Sequence, residues 1–116
     1  MNGRRHRIEV FEPADYDGPQ PLLASGIRIV ESPDRTPAYL LVLQAPLQLE
    51  AGAITQLLVR SRHGDPVDRC VESVCTVVIY AVIPGKELDE DAGCFKFTEV
   101  VNWGIGKIAP TQASGA

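Results

Sequence analysis

Cys70 and Cys75 stand five positions apart in the stretch RCVESVCTVVIYAV (69–82), with His63 upstream and Cys94 downstream. Thiols and imidazoles offer three kinds of chemistry: a disulfide, a metal site, or a nucleophile activated by a base. If 70–75 is extended, the two Cα atoms lie about 16 Å apart on opposite faces, whereas a disulfide needs roughly 7 Å or less. A helix also separates them, by about 7.5 Å along its axis; a turn at Glu72 and Ser73 would bring them together. A metal site would have to recruit the spacing His-x6-Cys-x4-Cys-x18-Cys, which lacks the tight Cys-x2-Cys pair that presents two thiolates from one turn. A catalytic pair needs only closeness in space, so Cys70 or Cys94 with His63 or His6 stays open as a thiol enzyme. Cysteine otherwise packs as a small hydrophobe, and that is the role expected of Cys70 and Cys75.

Carboxylates give a second possible chemistry. DYDG (15–18) resembles the opening of a calcium loop, with acids two apart and a glycine for the turn, but the later ligands of that pattern are missing. ELDED (87–91) gathers more acids in one loop. Asp15, Asp17, Glu87, Asp89 and Asp91 are therefore the candidate calcium ligands, calcium being the one cofactor the sequence suggests; solvated loops are the plainer reading. NWGIGKI (102–108) fails as a phosphate loop, since Val101 and Ile108 occupy positions that need Gly and Ser or Thr. Arg60, Arg62, His63 and Arg69 make a modest basic patch suited to a phosphate or carboxylate, or to pairing with the acidic loops. Trp103 and Tyr80 are amphipathic anchors for a partner or ligand.

The chain around these residues has an ordinary soluble composition. It has 116 residues, 45% hydrophobic and 22% charged, which suits one domain able to bury a core without disulfide or metal. Three cysteines, an odd number, fit a reducing compartment. The start, MNGRRHRIEV, is basic but has no apolar signal region, so a cytoplasmic protein is expected. A net charge of −4 argues against a general nucleic-acid binder, and no apolar run approaches the roughly 20 residues of a membrane helix. Neither nucleic acid nor membrane is expected as a partner.

Proline and glycine clusters at 13–21, 32–37, 63–66 and 84–93 punctuate segments rich in Val, Ile, Leu and Thr. The pattern predicts strands at 7–12, 27–31, 38–44, 47–50, 53–62, 74–83 and 95–108. The predicted fold is a compact, antiparallel all-β sandwich of about seven strands spanning 7–109, with a basic tail at 1–6 and a mobile tail at 110–116. Residues 51–63 also read as a helix ending in a basic turn, which would make the fold α+β. Gly104 and Gly106 suit a bulge in the last strand.

Residues 74–83 are apolar on both faces, and AYLLVL (38–43) repeats this. Such strands are covered on both sides, by a local segment or by another subunit. The function expected from this surplus is a non-enzymatic binding or assembly protein. It would self-associate or dock on a protein partner through apolar strand faces, with Tyr80, Trp103 and the arginines as contacts. The calcium-dependent ligand-binding module and the small thiol enzyme near His63 are the alternatives.

Overall fold

Residues 5–11 alternate strictly, sending His6, Ile8 and Val10 inward and Arg5, Arg7 and Glu9 outward, the period of a half-buried strand. This strand, β1 (Arg5–Glu12), belongs to a computed structural model that describes residues 4–64 and 66–111. It starts ahead of the predicted boundary, so Arg5 and His6 belong to the sheet; of the predicted C-terminal tail, 112–116 lie outside the described residues. The other strands are β2 (Leu22–Glu31), β3 (Pro37–Leu49), β4 (Gly52–Ser61), β5 (Cys75–Val82) and β6 (Val100–Pro110). A short helix, α1 (Asp68–Glu72), joins β4 to β5. Segment 52–61 is a strand, so the helical alternative for 51–63 does not hold.

Each strand pairs antiparallel with the next, and β1 pairs with β6 through Arg7↔Ala109, Ile8↔Ile108 and Glu9↔Lys107. The result is a closed six-stranded barrel, which corrects the predicted seven-strand sandwich. Two physical reasons account for the difference. Segments 38–44 and 47–50 form one strand, β3, carried through an irregularity between Val42 and Leu47. Residues 95–99 stay outside the sheet, leaving β6 to begin at Val100. The closing seam is tight: a Cβ at Gly104 or Gly106 would overlap the backbone carbonyl oxygen of Glu12 or Glu9 respectively.

Two apolar clusters hold the structure. The interior one includes Ile8, Leu41, Leu57, Val77, Ile79 and Ile108, all fully buried, each such side chain contributing about 1.5–3 kcal/mol of transfer free energy. Val67, just before α1, and Cys70 within it pack into this cluster, and Cys75 joins it from β5. Cys75 and Cys94 are free thiols, so neither is bridged to Cys70.

The second cluster lies on the barrel's exterior: Val30, Ala38, Leu40, Leu58 and Val82, with Phe95 and Val100. The long β5–β6 connection, 83–99, covers it as a strap. Glu31 N–H donates to the Gly93 carbonyl and Phe95 N–H to the Glu31 carbonyl, both at 3.0 Å. The Gln56 side chain holds the strap lower down, its amide donating to the Leu88 carbonyl and accepting from the Leu88 N–H, both at 2.8 Å. A local segment thus covers this part of β3 and β4, which explains the two-faced apolar run at 38–43. No helix among the described residues is long and apolar enough to cross a membrane.

Candidate functional site

The residues with the most reactive chemistry are buried. His6 comes from β1 and Tyr39 from β3, with His6 Nε2 and Tyr39 Oη 2.9 Å apart. Tyr39 and Cys70 of α1 both belong to the interior apolar cluster. Burial lowers the His6 pKa from its ordinary value, and Arg4 lowers it further. Burial likewise raises that of Tyr39. His6 and Cys70 are 0% exposed and Tyr39 is 3% exposed, so a substrate would have to open the barrel to reach them. Of the thiol–imidazole pairs considered, only His6 and Cys70 are both buried. His63 lies exposed in the β4–α1 connection and Cys94 exposed in the strap.

The carboxylates are exposed. Asp15 and Asp17 sit in the β1–β2 loop, and Glu87, Asp89 and Asp91 in the strap. Glu87 accepts from the Gly85 N–H at 3.0 Å, and the Asp91 carbonyl accepts from Arg28 at 3.2 Å. Among the described residues no group of three or more His, Cys, Asp or Glu side chains could hold a metal ion.

The remaining candidates separate by position. Trp103 is half-buried against the interior cluster, edge to face with Tyr16 at a centroid distance of 5.4 Å; Tyr16 in turn donates to the Pro19 carbonyl. Arg62 and Arg69 are exposed to either side of the β4–α1 connection. Arg60 and Tyr80 meet on the outer face: the guanidinium carbon lies 5.9 Å from the Tyr80 ring centre and Nη1 is 3.5 Å from its hydroxyl. Arg60 also acts on Asp34, whose carboxyl is held below its ordinary pKa chiefly by hydrogen bonds from Ser32 and Thr36.

Around Arg60 and Tyr80 the registers build a surface. Arg60 is opposite Val78, Val78 opposite Ile105, and Ile105 opposite Glu12, so the four share one face across adjacent strands. Val78, Tyr80 and Ile105 are half-buried, and Phe11 beside Glu12 is 49% exposed. Sequence reasoning found Tyr80 and Arg60 but missed Phe11 and Ile105. Phe11 was hidden by the irregularity between Val10 and Glu12, which turns two successive residues outward. No family model, curated protein or solved structure matches this chain.

Proposed function

We propose that this protein is a non-enzymatic assembly module that self-associates through the outer face of β5 and β6. The observation that carries this reading is the row Glu12, Ile105, Val78, Arg60, acidic at one end, basic at the other and apolar between. A two-fold axis between Ile105 and Val78 sets Ile105 of one copy against Val78 of the other and brings Glu12 of one copy towards Arg60 of the other, a self-complementary contact. The barrel wall is convex, so β5 and β6 make the centre of the contact while the long Glu12 and Arg60 side chains reach in from the rim. A closed barrel offers no free edge for strand pairing, which leaves side-chain faces as the means of association. The strap covers the apolar exterior of β3 and β4 in the same way that a second copy would cover β5 and β6. The sealed position of His6, Tyr39 and Cys70 supports binding over catalysis.

Native mass spectrometry over a range of concentrations tests this. A dimer is expected, and Val78→Asp with Ile105→Asp is expected to weaken it at least tenfold, each side chain contributing about 1.5 kcal/mol or more when buried. A monomer at every concentration would overturn the proposal.

A further inference from the structure

A second surface lies across β1, β2 and β3, away from the β5–β6 face. Two adjoining hollows there, of ≈ 320 and ≈ 410 Å³, share Leu23, Leu43 and Gln44. Together they form one trough. Its floor is largely apolar: Leu23 is 45% exposed, and Pro21, Ala45 and Pro46 extend the lining. The irregular middle of β3, between Val42 and Leu47, shapes one wall.

The other wall is basic. Arg7 stands opposite Leu23, and Arg5 opposite Ser25, which in turn is opposite Val42. Directly opposed residues of an antiparallel pair project to the same side, so both arginines flank the apolar floor from β1: Arg5 lines the trough itself, and Arg7 stands at its border, lining the neighbouring hollow with Glu9 and Lys107. Both arginines are exposed. Glu9, the next outward residue along β1, is drawn to Lys107 at 3.6 Å, the one ion pair among the described residues. Among the described residues neither Arg5 nor Arg7 forms an ion pair, in a chain with 15 Asp and Glu against 11 Lys and Arg. Neither hollow is lined by a carboxylate.

We infer that this trough binds an acidic peptide segment, with apolar side chains seated on Leu23 and flanking Asp or Glu facing Arg5 and Arg7. The concave apolar floor supplies area, and the arginine wall selects by charge. Guanidinium groups suit this role because their planar donor fork matches a carboxylate.

Fluorescence anisotropy with a short labelled peptide of interspersed Leu and Asp tests the inference. Saturable binding is expected, weakening as salt is raised. Replacing the Leu residues of the peptide by Ser, or its Asp residues by Lys, should abolish it. In the protein, Arg5→Glu with Arg7→Glu should weaken binding about tenfold, and Leu23→Asp should remove it. All three positions are exposed, and thermal melting checks that each variant folds; if one does not, the Ser and Lys peptides on the native chain decide. Absence of saturable binding, equal binding of the Lys peptide, or indifference to the folded variants would overturn the inference. So would binding of an oligonucleotide to the same arginines with no response to the Asp peptide.

Discussion

His6 Nε2 lies 2.9 Å from the Tyr39 hydroxyl, and the two rings meet edge to face, 5.2 Å between centres, inside the barrel. The hydroxyl itself is seated against Gly26, where a Cβ would overlap it. His6 Nδ1 is buried with no hydrogen-bond partner. A neutral imidazole tolerates this, because one nitrogen can remain a bare acceptor. An imidazolium cannot, since both nitrogens then carry N–H and one donor is stranded beside Arg4.

This geometry makes stability depend on pH. Burial first, and Arg4 second, hold the His6 pKa below its ordinary 6.5, so the unfolded chain binds the extra proton. The contribution of neutral His6 is complete above about pH 6.5 and is lost as pH falls, at up to about 1.4 kcal/mol per pH unit while the folded imidazole stays neutral. Urea unfolding of the native chain and of His6→Phe at pH 7.5 and 5.5 checks this. The native chain should lose more stability on acidification than the variant. Identical losses would refute the account, since every other titratable group is common to the two proteins.

Gln56 predicts a separable strap. Its amide reproduces a strand pairing with Leu88, taking one donor and one acceptor at 2.8 Å each. Gln56→Ala leaves both Leu88 groups without those partners and should cost about 1–3 kcal/mol. The expected readout is local: faster amide exchange at 84–95 and proteolytic cleavage near Lys86, with protection of β1 and β6 nearly unchanged. A uniform rise in exchange across the barrel would show that the strap and the barrel open together.

The thiols should divide two to one. Cys94 is exposed, Cys70 is 0% exposed and Cys75 is 9% exposed. An alkylating reagent at neutral pH should modify one site promptly and the other two only as fast as the barrel opens. Prompt modification of Cys70 would instead show that reagents reach the interior cluster, and would revive the thiol-enzyme reading.

Much of the strand content is legible in the sequence because one-sided burial writes itself as a period of two. Cys75, Val77, Ile79 and Ala81 alternate with Thr76, Val78 and Tyr80, and the barrel buries the first set. Closure is not legible in the same way. The pairing of Ile8 with Ile108 depends on the tilt and stagger of the whole sheet, and each strand looks the same locally in a sandwich. The strap escaped for another reason. Phe95 and Phe97 alternate like strand residues, yet they meet edge to face at 6.0 Å outside the sheet, with Phe95 buried in the exterior cluster. Residues 4–7 read as a solvated end because three arginines mask the single buried imidazole between them. The site was partly legible: Tyr80 and Arg60 stood out by type, whereas Ile105 and Arg7 gained meaning only from what lies opposite them.

The seam between β1 and β6 bears on the order of the chain itself. Arg5 and Thr111 are joined there, the Thr111 N–H donating to the Arg5 carbonyl at 3.0 Å. Every strand is therefore bonded to both of its neighbours, and five of the six junctions happen to be bridged by peptide while the sixth is bridged by hydrogen bonds alone. The architecture is a ring, and the place where the polypeptide opens is incidental to it. A short linker from Thr111 back to Arg4, with new ends cut at Glu50 and Ala51, would trace the same barrel in a different sequence order.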